Sequence, residues 1–120
     1  MTISQSTKVT YSRKDDDVLT DTIESTFATT LAQLVRQDLT IAQALVETDF
    51  LPVGITQVDY LLVRAIDFPV LLRTIVVGTQ YTIPAGGVFL VFFTVAGVNA
   101  VLFTGNGAND AKVQMVIGQI

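Results

Sequence analysis

The sequence contains no cysteine, no histidine and no tryptophan. Without cysteine the chain cannot form disulfides, thiolate metal sites or a cysteine nucleophile. Without histidine it lacks the commonest general base and the commonest metal ligand, so a serine nucleophile would have no histidine beside it. Gly86 and Gly87 are followed by no Lys-Ser/Thr pair and therefore do not form a phosphate loop. These absences argue against an enzyme and predict that the protein uses no cofactor.

Charge is also scarce. Only 15% of the residues are charged, against roughly 25% in typical soluble domains, while 50% are hydrophobic. The stretch from Thr74 to Asn109 carries no charged residue at all. Its surface must be buried in a core, in a membrane or against a partner. The deficit therefore indicates an oligomer or a larger assembly.

The net charge of −4 lies in the N-terminal part of the chain. Residues 1–50 contain twice as many acidic as basic side chains, whereas the charges of residues 51–120 balance. An acidic chain with so few basic residues lacks the positive surface that binds phosphates. Nucleic acid is therefore not expected as a partner.

The longest apolar run, residues 86–103, is nominally long enough to cross a bilayer as a helix. Its Val, Phe and Thr residues favour strands, and Gly97-Val98-Asn99 divides it into two pieces of strand length. Neither end carries the Lys/Arg cluster that sets membrane topology. The run is therefore predicted to form strands, with no membrane partner, and the polar first five residues do not resemble a signal peptide.

The remaining pattern predicts an all-β protein, an antiparallel β-sandwich of jelly-roll type with about eight strands. Short apolar runs recur about every 8–12 residues with turns between them, as in sandwiches and barrels. Residues 1–20 are polar and are predicted to form an extended arm with a short strand near Lys8–Ser12, ahead of a β domain over residues 21–120. Further strands are predicted over residues 40–46, 58–66, 70–77, 80–83, 88–95, 100–104 and 112–117.

Residues 21–36 fit both a helix and a strand. Asp21 followed by Glu24 resembles a capping box, and Ile23, Phe27 and Leu31 recur at helical spacing. The threonines between them are poor helix formers, and the same apolar residues also fit one face of a strand. The strand is favoured, and the helix remains open.

Two polar clusters resemble cation sites. The run Asp15-Asp16-Asp17 offers carboxylates to Ca²⁺ but lacks the alternating spacing and distal Glu of a dedicated loop, so a solvated turn is favoured. The group Asn106, Asn109 and Asp110 offers oxygen ligands as well. Asn-Gly is first of all a turn former, because both residues tolerate positive φ. A turn is favoured here too, and no metal is predicted.

Four charges stand in the middle of the chain: Asp59, Arg64, Asp67 and Arg73. Two carboxylates flanking a cleft can hydrolyse a glycosidic bond. Here they lie near arginines on one predicted hairpin, residues 58–77, which favours cross-strand ion pairs or contacts with a neighbour. With the basic residues of the arm they form the predicted interface set, namely Lys8, Arg13, Lys14, Asp59, Arg64, Asp67 and Arg73.

Several segments resemble small β-sandwich structural proteins of tailed-bacteriophage virions. They are the segments 60–64, 67–73, 84–90 and 98–107, in which an Asp–Pro-type turn, a Gly-containing turn and a "VNAV" strand before an Asn/Gly turn follow one another. The likeness covers about residues 55–120 and concerns the order of strands and turns. It transfers no catalytic residue.

The resemblance implies a capsid decoration, or cement, protein that binds and stabilises an assembled shell. It implies a homo-oligomer, a dimer or trimer, with the major capsid protein or another virion protein as partner, located in virions assembled in the host cytoplasm. Two alternatives remain open: a tail or baseplate component, and a β-sandwich that binds a carbohydrate or receptor. Only Tyr11, Phe68 and Tyr81 are expected to be free to face such a ligand.

Overall fold

The structure, a computed structural model, describes residues 3–75, 78–92 and 100–120. Within these ranges the chain forms ten β-strands. In chain order they are β1 (Ile3–Asp15), β2 (Val18–Leu31), β3 (Gln33–Ile41), β4 (Thr48–Asp49), β5 (Tyr60–Ala65), β6 (Val70–Arg73), β7 (Tyr81–Ile83), β8 (Val88–Phe92), β9 (Leu102–Thr104) and β10 (Ala111–Gln119).

Eight of these strands form two antiparallel four-stranded sheets. The front sheet has the order β3-β10-β5-β8, and the back sheet has the order β4-β9-β6-β7. From β3 to β10 the chain passes repeatedly between the two sheets, so that most neighbours in sequence are not neighbours in a sheet. Two four-stranded sheets connected in this way form a jelly roll. The predicted all-β sandwich is confirmed.

Buried and exposed side chains alternate along the strands, and the buried ones form a core between the two sheets. In β10 the side chains of Val113, Met115 and Ile117 are buried, whereas Lys112 is exposed and Gln114 half-exposed, because successive residues of a strand point to opposite faces. Residues of both sheets contribute to one continuous core, including Leu61 and Val63 of β5, Leu72 of β6, Ile83 of β7 and Phe103 of β9.

Aspartates close several of the loops. Oδ1 of Asp49 accepts hydrogen bonds from the backbone N–H groups of Leu51 and Val101, each at 3.0 Å. Asp110 accepts one from the backbone N–H of Gln43 at 2.9 Å. Pairing backbone donors with carboxylates satisfies groups that the short strands leave unpaired.

The first two strands form a separate two-stranded hairpin, here called the arm (residues 3–31). β1 and β2 pair from Ile3 opposite Leu31 to Asp15 opposite Val18, with one register shift between Arg13 and Lys14. At the turn, Asp16 and Asp17 have φ values of 51° and 63°. Two consecutive positive φ values are typical of type I′ hairpin turns, whose twist matches that of the strands. The strand alternative for residues 21–31 is therefore confirmed.

The predicted boundary after residue 20 falls inside β2. The arm consists of two strands and not of one extended segment, because the Asp-rich run is a tight turn that folds the chain back on itself. The arm projects from the body and thereby increases the radius of gyration of the molecule. The radius of gyration is 15.6 Å, whereas about 13.6 Å is expected for a compact chain of this length.

Most of the predicted strands lie close to the observed ones, but one predicted strand and one predicted strand pairing are wrong. The strand predicted over residues 40–46 is wrong, because β3 ends at Ile41 and the backbone N–H of Leu45 then donates to the carbonyl of Ala42 in a turn. The hairpin predicted over residues 58–77 is also wrong, because β5 and β6 lie in different sheets. The predicted turn at Gly97-Val98-Asn99 and the end of the preceding strand lie outside the described residues.

No helix in the described ranges has the length and hydrophobicity that crossing a membrane requires.

Candidate interaction surface

The arm has two faces that differ in polarity. Paired residues of a hairpin point to the same side, so the register places Val9, Tyr11 and Ile23 on one face. Lys8, Thr10, Ser12, Thr22, Glu24 and Thr26 lie on the other. On this polar face Lys8 Nζ lies 3.6 Å from a carboxylate oxygen of Glu24. Closer to the turn the faces are mixed, because Arg13 and its partner Asp21 lie on the same side as Tyr11 and Ile23. The arm is thus amphipathic between Lys8 and Ser12.

The base of the arm is fixed to the front sheet. The hydroxyl of Tyr60 in β5 lies 2.6 Å from Oγ1 of Thr7 and is hydrogen-bonded to it. Leu31 packs over Gly118 in β10, and a Cβ added to this glycine would lie 2.5 Å from Leu31 Cδ1. Tyr60 and Gly118 are direct neighbours across the sheet. The base of the arm therefore crosses from β10 to β5 on the outer face of the front sheet.

Contacts with the sheet like those at the base are not found for the outer half of the arm among the described residues. From residue 8 to residue 15 the strand extends for about 25 Å. The apolar side chains on this face are exposed: Val9 by 45%, Tyr11 by 51%, Ile23 by 60% and Val18 by 63%, while Leu19, opposite Lys14 on the other face, is exposed by 57%. The first four residues are here called the arm row. It continues the face that packs on the sheet at the base, but among the described residues nothing covers it.

A second free surface lies beside the base of the arm. The outward residues of the front sheet form rows across the strands. One row consists of Arg36, Val116, Leu62 and Leu90. The next row consists of Asp38, Gln114, Arg64 and Val88. They surround a shallow depression of about 340 Å³, lined by Arg36, Leu62, Arg64, Val88, Gln114 and Val116. We call it the front depression.

The front depression combines apolar side chains with positive charge. Val88 is 57% exposed, while Leu62 and Val116 are half-buried at its floor. Arg36 lies 3.9 Å from Asp38, whereas Arg64 forms no ion pair with any described residue. The strand that contributes Val88 belongs to the charge-free stretch. Ile83, Val101 and Phe103 of that stretch are buried in the core, whereas Val88 on the outward face of β8 is exposed.

The predicted basic residues of the arm lie on its exposed outer half. Arg13 Nε lies 3.3 Å from Asp15 Oδ1 near the turn, and both side chains are largely exposed, as is Lys14. The tip carries more acid than base, because Asp15, Asp16, Asp17 and Asp21 outnumber the two cations. The arm therefore ends in an acidic tip.

The four central charges do not form the predicted cross-strand ion pairs. Asp59 is buried and accepts hydrogen bonds from the Gln57 side chain and from the backbone N–H of Ile120, each at 2.8 Å. Arg73 of β6 lies 3.7 Å from Glu47, which directly precedes β4. The predicted cross-strand pairs cannot form, because β5 and β6 lie in different sheets.

Asp67 closes the loop after β5. The backbone N–H of Lys112 donates to Asp67 Oδ1 at 2.9 Å, and this bond holds the pKa of the carboxyl below its ordinary value of 3.8. Hydrogen bonds from the backbone N–H groups of Asp67 and Phe68 also lower this pKa, whereas desolvation of the carboxyl raises it. Of the four central charges, Arg64 alone lines the front depression.

The two possible cation sites are turns. Asp16 and Asp17 are the corner residues of the arm. Asn106 Oδ1 accepts hydrogen bonds from the backbone N–H groups of Ala108 and Asn109, each at 2.8 Å, while its Nδ2 donates to the carbonyl of Pro69. Within the described residues no group of three or more acidic side chains is arranged to hold a metal ion.

The three aromatic residues expected to be free are indeed accessible. Tyr11, Phe68 and Tyr81 are each exposed by at least 36%. Tyr11 stands on the arm, whereas the Tyr81 ring packs 5.1 Å from that of Phe89 on the body. No ring contact joins Tyr11, Phe68 and Tyr81. They do not form one stacking platform.

Comparison with known proteins adds little to this geometry. The sequence matches no known protein family and no curated protein. One solved structure that is similar belongs to Bacillus endospore appendages, which form a family of disulfide-linked pili. It is 17% identical, with 97% of this chain and 91% of that chain covered and a TM-score of 0.46. A likeness this weak assigns neither family nor function, and the present sequence contains no cysteine.

Neither the arm row nor the front depression was predicted from the sequence. The alternation on the two sides of Asp15-Asp16-Asp17 is the signal for the arm, since Val9 and Tyr11 before the run mirror Ile23 after it. No comparable signal exists for the front depression. Its residues come from four strands that are distant in sequence, and only the sheet order brings them together.

Proposed function

We propose that this protein is a structural subunit without catalytic activity that attaches to a repeating protein shell through its arm. The observation that carries the proposal is the exposed arm row on a projecting, two-stranded ribbon. An isolated hairpin is marginally stable in water, and exposed apolar side chains grouped on one face are typical of an interaction site. A neighbour that covers the arm row would supply the support that the outer half lacks.

The accessible area supports the same conclusion. It amounts to 7288 Å², whereas about 6,300 Å² is expected for a compact monomer of this mass. The excess is of the order of the area that each partner buries in a standard protein interface. Together with the low share of charged residues, it favours a chain that works in contact with other proteins.

The resemblance to phage β-sandwich proteins supports a more specific form of this proposal. In that form the shell is a viral capsid, the partner is the major capsid protein or another virion protein, and the protein acts as cement. A subunit that binds only the assembled shell stabilises it by mass action. A tail or baseplate component would use the same arm, and localisation on the particle separates the two.

Immunogold labelling with an antibody against the chain, applied to particles purified from its source, tests the proposal. Regularly spaced label on a capsid supports the cement role, and label confined to the tail supports the alternative. Soluble chain with no label on any particle or filament contradicts both.

A matched pair of variants then tests the arm. Tyr11→Thr with Ile23→Thr keeps the strand propensity but removes apolar surface from the arm row, and it is expected to weaken attachment in a co-sedimentation assay. Ser12→Thr with Thr22→Val alters the polar face instead and is expected to leave attachment unchanged. Equal loss in both pairs would contradict a role of the arm row.

The exposure of Tyr11, Phe68 and Tyr81 favours a second candidate, a carbohydrate-binding module. Aromatic rings on a β-sandwich can stack on sugars, but these three lie apart and tryptophan is absent. A glycan array tests this candidate directly. Strong binding that free sugar competes away, together with loss of binding in Tyr81→Ser, would replace the cement proposal.

A further inference from the structure

We propose that the outer half of the arm of one copy binds in the front depression of a second copy of the same chain. The inference deepens the proposed function and rests on it in one respect, namely that the arm binds a protein neighbour. It adds the identity of one such neighbour. It also assigns a role to the side chains of Arg64, Leu62, Val88 and Val116, to which neither the fold nor the proposed function gives another role.

The apolar surfaces of the two elements match. The arm row presents an aromatic ring and aliphatic side chains along one face of a ribbon. The front depression presents Leu62, Val116 and Val88 in a shallow hollow about 340 Å³ in volume. Docking the ribbon over the hollow would cover both exposed apolar surfaces at once, and burial of apolar area is the main driving force of association.

The charges also match. The acidic tip of the arm carries four aspartates against Arg13 and Lys14, whereas the front depression carries Arg36 and Arg64. Arg64 forms no ion pair with any described residue, so a carboxylate from outside can reach it without displacing a partner. Opposite charges on two complementary surfaces fix their relative orientation and speed their association.

The arm of the same copy cannot fill its own depression. Its base is held across the neighbouring row of the sheet, by Thr7 on Tyr60 and by Leu31 on Gly118. No arm residue lines the hollow. The base of the ribbon crosses the strands of the sheet and does not run along them, so the tip points away from the strand segments that contain Leu62 and Arg64. The occupant must therefore come from another molecule.

The contact within one copy is a guide to the contact between copies. At the base, the apolar face of the arm already packs on the outer face of the front sheet. The arm row belongs to the same face of the ribbon, and the front depression belongs to the same face of the sheet, one row farther along the strands. The proposed contact thus repeats, between copies, an interaction that the fold uses within each copy.

Thiol crosslinking tests the placement, because a chain without cysteine gives every introduced cysteine a unique position. Chains carrying Ile23→Cys are mixed with differently tagged chains carrying Val88→Cys and treated with a short bismaleimide. A mixed covalent dimer is expected. Thr22→Cys lies next to Ile23 on the polar face and serves as the control, with several-fold less dimer expected. Equal yields from Thr22→Cys and Ile23→Cys would overturn the proposed placement.

A double-mutant cycle tests the charges, with self-association measured by analytical ultracentrifugation of the full chain. Arg64→Gln alone and Asp15→Asn with Asp21→Asn are each expected to weaken self-association by about tenfold. Their combination is expected to be little weaker than either alone, because both remove the same interaction. Fully additive losses would overturn the charge pairing. Lys8→Gln, on the polar face, is expected to have no effect.

The two proposals fail separately. A chain that stays monomeric at high concentration, and yields no mixed crosslink, overturns the contact between copies even if antibodies label particles. A chain that self-associates through Ile23 and Val88, but labels no particle or filament, supports the contact between copies and overturns the shell-binding function.

Discussion

The hydroxyl of Tyr60 lies 2.6 Å from Oγ1 of Thr7, and this hydrogen bond joins the arm to the front sheet. The two residues are far apart in sequence, and the Tyr60 side chain is completely buried beneath the base of the arm. A tyrosine at an outward position of a sheet is normally half-exposed. Its burial shows that the arm base is packed on the body and not merely tethered to it.

Replacing Tyr60 with Phe removes the hydroxyl and keeps the ring. The half-buried Thr7 hydroxyl then loses a partner, and the free energy of unfolding is expected to fall by about 1 kcal/mol. Urea denaturation of both proteins measures the difference. Tyr81→Phe is the control, since its ring is partly exposed, and it is expected to change the midpoint little. Equal midpoints for wild type and Tyr60→Phe would contradict this role of the hydroxyl.

Gly118→Ala tests the second anchor of the arm. The new methyl group would lie 2.5 Å from Leu31 Cδ1 and 3.3 Å from its Cγ, and Leu31 is too well packed to move freely. Overpacking of this kind is expected to lower the free energy of unfolding by about 1–3 kcal/mol. Combining it with Leu31→Ala makes room for the methyl group. The double variant is therefore expected to lose less than the sum of the two single variants, and strict additivity would show that the two residues are not in contact.

The stability of the protein at acidic pH is expected to depend on Asp67. Its pKa is held below 3.8 in the folded state, chiefly by the N–H of Lys112. A carboxyl with a lowered folded-state pKa contributes stability that is fully present above its unfolded-state value and is lost as the pH falls through the folded-state value. Denaturant unfolding of wild type and Asp67→Asn from pH 7 down to pH 2 checks this. The gap between them is expected to narrow below about pH 4, and a gap that stays constant would contradict it.

The sequence alone determined the class of fold and the spacing of most strands. Alternation in residues 111–119 and the apolar runs near Leu61 and Leu72 leave one face for a core, and the glycine and asparagine turns near Gly86 and Gly107 set where strands end. These are local properties of the backbone and of side-chain polarity. They can therefore be predicted without knowing which strands become neighbours.

The arm was only half predicted. The polar composition of residues 1–20 indicated an extended segment, but the strand that completes it lies in the stretch that also fitted a helix. Local propensity could not decide between the two, since threonine disfavours a helix only weakly. Pairing with β1 decided it, because nearly every residue of β2 gains a cross-strand neighbour and alternate pairs exchange backbone hydrogen bonds.

The candidate surface depended on the tertiary structure. Arg64 was predicted to form a cross-strand ion pair on one hairpin or to contact a neighbour, but the jelly-roll crossover places β5 and β6 in different sheets. Arg64 instead comes beside Val88 and Gln114, and it meets Leu62 and Val116 around one hollow. The sequence of this protein fixes which residues point outward from each strand. Which of those residues share a surface depends on strand order, and strand order is set by long-range packing that no local pattern contains.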